Sequence, residues 1–333
     1  MIFNDVLEIR NGRNQKNVEN PDGKYPIYGS GGIMGYADDY ICEADTVIIG
    51  RKGNINNPIF VEEPFWNVDT AFGLSEKREV LLPRYLYYYC RNFDFERLNK
   101  AVTIPSLTKS DLLKIEIELP SMENQQKIVD KLSKIEQIIQ MRKQELQGID
   151  ELIKARYVEM FYDKGYPVLK WNDVFNTTTG KLDSNAAVDG GAYPFFTCSK
   201  EVLRIDDYAF EEEALLLAGN NAAGKYDVKY YSGKFNAYQR TYVLTLKENW
   251  SYRLFQYQLE DKLAYLQQQS LGGLTKYLTL KILGELEFII SPKKQQDRFD
   301  LFIKQVDKSK VVVQKAIDET QLLFDSLMQK YFG

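Results

Sequence analysis

Phe3-Asn-Asp-Val6 is written a second time as Trp171-Asn-Asp-Val174, 168 positions further on. Gly12-Arg13 returns as Gly180-Lys181 at the same offset, and so do Gly23, Tyr25-Pro26 and Asp39-Tyr40 as Gly191, Tyr193-Pro194 and Asp207-Tyr208. The offset then drifts. Val47-Ile-Ile-Gly50 matches Leu216-Leu-Ala-Gly219 at 169, Phe65 matches Phe235 at 170, and Leu107-Thr108 matches Leu278-Thr279 at 171. Matches that keep their order while the spacing creeps are the mark of one duplicated unit with short loop insertions. The 333 residues therefore read as two diverged copies of a unit of half that length, in line with the two domains that the length suggests.

Each copy changes grammar part-way. Residues 1–120 and 166–291 are rich in Gly, Asn, Pro and aromatics, with short apolar runs. Thr46–Gly50, Pro58–Val61, Ala214–Ala218 and Thr241–Thr245 read as strands closed by turns. Pro83–Cys90 and Trp250–Gln268 read as helices, with Pro83 at a helix start. Each of these parts is expected to be an α/β (α+β) domain.

Residues 121–165 and 292–333 follow a heptad rule instead. Ile128, Leu132, Ile135, Ile139, Leu146, Ile149, Ile153 and Met160 recur at alternating spacings of four and three, with Arg142 and Arg156 as polar interruptions. Phe299, Ile303, Val306, Val313, Ile317, Phe324, Leu327 and Tyr331 do the same, in the register of the first set plus 171, with Lys310 and Thr320 polar. Such a seam predicts a coiled coil. At 1.5 Å per residue, some 40 residues make a rod of about 60 Å. The competing reading, a long surface helix on a globular core, is weakened by two rods sharing one register. The rods most simply pack together antiparallel, with the domains at opposite ends and a pseudo-twofold axis between them. Ser121 is placed to cap the first rod, with Asn124 or Gln125 reaching back, and Ser291-Pro292 ahead of Gln295-Gln296 opens the second alike.

Composition removes several functions. With 0 histidines, His-based acid–base catalysis, Ser-His-Asp and Cys-His systems and His-ligated metals are excluded. Cys42, Cys90 and Cys198 stand far apart without a C-x-x-C pair, which argues against a zinc cluster or disulfide framework. No signal peptide and no membrane-spanning run is visible, so a soluble cytoplasmic protein is expected. The formal net charge of −4 is unusual for a nucleic-acid binder and names no partner by itself.

Tyr25-Pro-Ile-Tyr-Gly-Ser-Gly-Gly-Ile-Met-Gly-Tyr36, Val47-Ile-Ile-Gly-Arg-Lys-Gly53 and Phe65-Trp-Asn-Val-Asp-Thr-Ala71 occur in that order. As an ordered set they resemble the target-recognition domains of type I restriction–modification specificity subunits. So do Tyr193-Pro-Phe-Phe-Thr-Cys-Ser-Lys200 and Gly233-Lys-Phe-Asn-Ala-Tyr-Gln-Arg-Thr241, while Leu119-Pro-Ser-Met-Glu-Asn-Gln-Gln-Lys-Ile-Val129 resembles the family's helical conserved region. The resemblance covers essentially the whole chain. One departure is that the chain begins two residues before its first repeated motif, so no N-terminal extension is expected.

That resemblance implies two target-recognition domains, 1–120 and 166–291, and two conserved helical regions, 121–165 and 292–333. It implies a non-catalytic subunit that reads a split sequence in double-stranded DNA, one half per domain. Two modification subunits would bind S-adenosylmethionine and methylate adenine, and restriction motor–nuclease subunits would use ATP and Mg. No cofactor is expected in this chain itself. Half-sites read from one face of the duplex fall roughly 34 Å apart, one helical turn.

Candidate DNA contacts follow from side-chain chemistry. Arg51 and Lys52 beside Gly53 suit phosphate, and Asn54 and Asn56 suit adenine edges. Each could equally belong to a solvated turn. Lys225, Lys229, Lys234 and Arg240 against Asp227 alone make a local +3, which favours phosphate contact. Asn236, Gln239 and Arg240 have base-reading chemistry, although Asn236 and Gln239 could instead satisfy a turn. Neutralising Lys229, Lys234 and Arg240 together is expected to abolish DNA binding. Lys109 and Lys276 are further phosphate candidates in segments that could as well cap the following helices.

Other motifs point away from catalysis. Gly29-Ser-Gly-Gly32 lacks phosphate-loop spacing and reads as a tight turn. Asn57-Pro58-Ile59-Phe60 approaches an amino-methyltransferase tetrapeptide, but Ile59 stands where a second proline is needed and no cofactor glycine motif accompanies it. Glu211-Glu-Glu213 reads as a solvated turn. Tyr157, Met160 and Phe161 near the domain–rod joint are either a partner surface or an internal core. The alternatives to DNA reading are a coiled-coil scaffold without DNA contact and, less well supported, a self-contained DNA-modifying enzyme.

Overall fold

Phe3-Asn-Asp-Val6 folds as a single helical turn, α1 (Phe3–Val6), that buries Phe3 and Val6 and delivers the chain into β1 (Leu7–Asn11). This is seen in a computed structural model, which describes residues 1–222 and 224–333. The chain forms two units, one of residues 1–144 with 313–333 and one of residues 145–312.

In the first unit β2 (Tyr25–Gly29) and β3 (Gly32–Ala37) make a hairpin. Then come β4 (Thr46–Gly50), buried along its whole length, β5 (Ile59–Val61), β6 (Trp66–Asn67) and β7 (Ala71–Glu76). One antiparallel sheet runs β1-β7-β4-β5, and a second runs β3-β2-β6 with β2 and β6 parallel. Helix α2 (Pro83–Asn92) opens on its proline, as the sequence predicts, and buries Tyr85, Leu86, Tyr88 and Cys90. A short turn, α3 (Lys109–Leu112), is capped by Thr108. Helix α4 (Met122–Phe161) follows.

In the second unit β8 (Val168–Lys170) leads into α5 (Trp171–Val174) and β9 (Phe175–Thr179), the counterparts of α1 and β1. After β10 (Tyr193–Phe196), β11 (Leu203–Ile205), β12 (Phe210–Ala218) and β13 (Asn220–Asn221) come β14 (Val228–Ala237) and β15 (Thr241–Leu246). Helices α6 (Tyr252–Asp261) and α7 (Leu263–Gln269), strand β16 (Lys276–Tyr277), the Thr279-capped α8 (Leu280–Gly284), β17 (Glu287–Ile289) and α9 (Lys293–Phe332) complete it. The single helix expected over Trp250–Gln268 is broken at Lys262, whose ammonium lies over the Phe288 ring. Glu211-Glu-Glu213, read above as a turn, instead lies in β12, because its partner β14 continues the ladder opposite it through Ser232, Gly233 and Lys234.

The main sheet here is one six-stranded surface, β11-β10-β14-β12-β15-β9, where the first unit has two. The reason is local. Pro64, which cannot donate to a ladder, lies in the break between β5 and β6 of the first unit; its counterpart by the Phe65–Phe235 match is Lys234, which pairs with Glu211 in a strand that runs through, Gly233 at φ +132 included. The repeated glycines mark close approaches. A Cβ on Gly12 would stand 1.8 Å from the Val68 carbonyl oxygen, and one on Gly180 would stand 1.7 Å from that of Ala237. Aromatic rings fill the second core: Trp171 is fully buried, its ring 4.8 Å from Phe175, and Phe175 lies 5.2 Å from Phe288.

Both long helices have 40 residues, and among the described residues no helix is long and apolar enough to cross a membrane. All sixteen apolar residues named above as seam positions, from Ile128 to Met160 and from Phe299 to Tyr331, are buried or half-buried. Late in α4 the stripe steps forward by one residue, so that Tyr157 and Phe161 pack with Leu254, Phe299, Ile303 and Val306. Those two side chains belong to a core. In the first unit Arg142 donates to the Ala316 carbonyl and to Thr320 Oγ1, so a polar seam residue meets the polar seam residue opposite. In the second unit Lys310 donates to Asp150.

Each long helix is tied to its own domain by a buried glutamine. Gln125 Oε1 accepts from the Leu82 N–H at 2.9 Å, and its Nε2 donates to the carbonyls of Val80 and Pro120. Gln296, 171 positions later, accepts from the Ser251 N–H at 2.8 Å and donates to the Ser291 carbonyl. Leu82 and Ser251 are the residues that open α2 and α6. Gln125→Leu and Gln296→Leu are each expected to cost about 2–4 kcal/mol, because buried backbone groups lose their partners. Urea unfolding of each variant checks this.

Asp300 adds a second tie at the same joint by accepting from the Ser251 hydroxyl. Burial holds its carboxyl above the usual aspartate range, more than the Ser251 hydrogen bond lowers it. The folded state therefore keeps this proton longer than the unfolded chain does. The group's contribution to stability is greatest in acid and falls as pH rises from the unfolded pKa through the folded one. Asp300→Asn is expected to raise the urea midpoint at pH 7, with the gain closing towards pH 4.

Candidate nucleic-acid interface

In the first unit four loops converge where β4 ends. The Arg51 and Lys52 N–H groups donate to the Thr70 carbonyl, the Gly53 N–H donates to Pro105, and the Leu107 N–H donates to Arg51. Ser30 of the β2–β3 turn lies beside Gly50 and Gly53. Loops 29–32, 51–57, 68–70 and 99–106 thus form one rim.

The second unit repeats the arrangement where β12 ends. The Gly219 N–H donates to the Arg240 carbonyl, the Leu278 N–H donates to Gly219, and Asn220 and Asn221 pair with Tyr277 and Lys276. Cys198 Sγ also reaches the Arg240 carbonyl. Here loops 198–201, 219–222, 238–240 and 270–277 meet, with Gly224 and Lys225 beside them. Together these segments carry Lys200, Lys225, Arg240 and Lys276 with Glu201 as the single acid. Lys200 went unnoticed in the sequence because it closes a recognised motif rather than standing in a run of charge.

The predicted contacts divide. Lys52, Asn54, Lys225, Gln239 and Arg240 are exposed on these rims, and Lys276 is half-exposed. Gln239 lies 3.3 Å from Asp183, a surface contact that DNA could exchange. Arg51 is packed over Phe72 at 5.8 Å, with a long hydrogen bond to the Asp69 carbonyl.

The remaining five are engaged within the protein. Asn56 receives the Phe95 N–H at 2.8 Å and donates to Asp94, pinning the rim to the 3₁₀ turn Phe95–Leu98. Lys109 donates to the Ile9 carbonyl at 2.6 Å. Lys229 donates to the Ser199 carbonyl at 2.8 Å and to Asp227 at 2.6 Å. Asn236 is buried, its Oδ1 taking the Ala237 N–H at 2.9 Å. Lys234 sits 4.4 Å above the Tyr208 ring and 3.8 Å from Glu211. The Tyr208 hydroxyl first, and Glu211 second, hold its ammonium above the usual lysine range.

Lys234 faces Glu211 at one end of β12, whereas the Arg240 turn abuts Gly219 at the other. The apparent +3 run is therefore two separate places, and Lys229 and Lys234 are already neutralised there.

Chemically, these rims offer exposed cations for phosphate and amide or guanidinium groups for base edges. Among the described residues no group of three or more His, Cys, Asp or Glu could hold a metal ion.

A family model described as Type I restriction modification DNA specificity domain matches residues 3–151 and again 164–320. The chain belongs to this family. The specificity subunit of the EcoDI type I restriction enzyme of Escherichia coli is 34% identical over 152 residues, 44% of this chain and 33% of that protein. The matched segment is thus about a third of that relative. Among solved structures, the S subunit of a type I restriction–modification system from M. genitalium aligns over 100% of this chain and 95% of its own, with a TM-score of 0.69 and 17% identity. A chain from a structure of type I R-M complex assembly and conformational transition covers the same 100%, and 96% of its own length, at a TM-score of 0.56 and 16% identity. Those two likenesses establish a shared fold. In specificity-domain terms, each family copy contains one of the two rims.

Asn56 and Lys52 provide a contrast within one specificity-domain rim. Asn56→Ala is expected to lower the stability of the first unit by about 1–2 kcal/mol, since Phe95 N–H and Asp94 lose a partner. Lys52→Ala, with no side-chain partner among the described residues, should change the urea midpoint by less than about 0.5 kcal/mol equivalent.

Proposed function

We propose that this chain is the DNA-reading specificity subunit of a type I restriction–modification complex and is itself non-catalytic. Each domain, 1–120 and 166–291, reads one half of a bipartite double-stranded target through its rim. The observation that carries this reading is that both family copies gather exposed cations and amides at the same end of the same strand. Lys52, Asn54, Lys225, Gln239, Arg240 and Lys276 are the foremost contacts; Arg51 and Lys109 are secondary, Asn56, Lys229 and Asn236 hold the rims in shape, and Lys234 is engaged away from the rim with Glu211 and Tyr208.

Residues 121–165 and 292–333 form an antiparallel coiled coil in this reading. Support comes from the seam burial and from the pairing, within the first unit, of Arg142 with Thr320, while Ser133 and Phe324 both meet Tyr88. Two modification subunits dock on this helical part, where Leu322 and Leu323 in the first unit and Val311 and Val312 in the second are exposed. Those subunits bring S-adenosylmethionine and methylate adenine, and restriction subunits bring ATP and Mg. The complex works in the cytoplasm.

The test is a map of modified adenines in a methylation-free host expressing the chain with its modification subunit. A bipartite methylated sequence that disappears without this chain is expected. Lys225→Glu/Arg240→Glu/Lys276→Glu should weaken duplex binding at least about tenfold and reduce the slope of log affinity against log salt by about 2–3. Tight binding with an unaltered slope would place the reading face elsewhere. A stable complex that modifies no site would favour the scaffold alternative.

A further inference from the structure

Val102 and Leu274 are the two most exposed large apolar side chains among the described residues, at 101% and 96% of full exposure; the next reach 69%. Single exposed apolar residues are ordinary and need no explanation. These two, however, fall within one position of each other in the repeat. Each lies in the segment leading to the Leu-Thr pair that caps the next helical turn, five residues before Leu107 and four before Leu278.

Different hydrogen bonds hold the two arches in one pose. In the first unit Asn99 Oδ1 accepts from both Ala101 N–H and Ser106 N–H, Lys100 is paired with Asp111 at 2.9 Å, and Pro105 is held by the Gly53 N–H. Val102 sits on the crown. In the second unit Leu271 and Tyr277 exchange backbone hydrogen bonds of 3.1 and 2.8 Å, and Gly272 turns at φ +102 where a Cβ would meet the Thr275 carbonyl at 2.2 Å. Leu274 sits on that crown. Two unrelated solutions each put one apolar side chain at full exposure, above Ile104 at 59% and Leu271 at 48% in the same arches, so that exposure is built in.

The surroundings select the occupant. Lys52 flanks the first arch through its pairing with Ser106, and Lys276 is part of the second, with Lys225 following Gly224, whose own Cβ position abuts Lys276. No acid occurs in 99–106 or 270–277. A surface both polyanionic outside and apolar within fits, and stacked base pairs behind phosphates are that surface.

We propose that Val102 and Leu274 are wedges, each entering a base step in the half-site read by its own domain and unstacking it. This rests on the DNA-reading assignment above. Apolar wedges of this kind kink duplex DNA by opening one step.

The experiment uses the full chain bound to its modification subunit and a duplex carrying the mapped methylated sequence, with 2-aminopurine placed at successive steps. Wild type should brighten at one step in each half. Val102→Ser should lose the signal in one half only and Leu274→Ser in the other. Each should cost at least about fivefold in affinity, as for loss of one stacking contact, with the salt slope unchanged. Val102→Leu should keep the signal. Selective binding by wild type with no brightening, or brightening that survives in Val102→Ser/Leu274→Ser, overturns the wedge alone. A wild-type complex that does not select the mapped duplex sinks both the wedge and the DNA-reading assignment.

Discussion

Gln125 and Gln296 take a backbone N–H and a backbone carbonyl from different segments and close them with one buried amide. A buried amide that loses either partner leaves a polar group in a dry interior, which is far costlier than the bond is stabilising. The first turn of each long helix is therefore locked to the start of α2 or α6. The rims depend on this joint, because α2 packs on β4 and α6 lies against β12 and β14, the strands whose ends form them. A helix hinged at that point would leave each rim free of any fixed relation to the helix beside it.

What was legible in the sequence followed period and repetition. A seam that recurs every seven residues constrains every side chain along it, so the buried stripe of α4 and α9 could be read off with Arg142 and Thr320 among its polar interruptions, whereas their meeting is a tertiary fact. The glycines at 12 and 180 were visible as a repeat, and their cause is steric: a carbonyl occupies the space a Cβ needs. The one-residue step to Tyr157 and Phe161 was not legible. It arises because those rings have Phe299 and Leu254 to pack against, a tertiary fact that no local period encodes.

The rims were harder to read, for an electrostatic reason. A count of charge along the chain treats Lys225, Lys229, Lys234 and Arg240 as one patch. The strand carries Lys234 to Glu211 and Tyr208, while Lys229 turns back to Asp227 and Ser199. Only charges left without an internal partner project a field that a phosphate can use, and salt screens that field beyond roughly 10 Å at 0.1 M. The same reasoning reconciles a net charge of −4 with a basic rim: the sum over the chain says little about the field at one local surface, because distant exposed charges are screened.

The two copies also show where such a unit can vary. The framework elements α1 and α5, the two threonine-capped turns α3 and α8, and the glutamine joints recur in both copies. The segment between β5 and β6 did not: one copy has Pro64 there and a split sheet, the other has Lys234 there, paired with Glu211, and one continuous sheet. Both sheets still deliver β4 and β12 to the same kind of rim, because these strands are flanked by β7 and β15, which the change leaves untouched. A central strand held on one side by an unaltered neighbour can tolerate remodelling on the other. This confines sequence change to the loops and the far edge, and lets two rims of different chemistry stand on one framework.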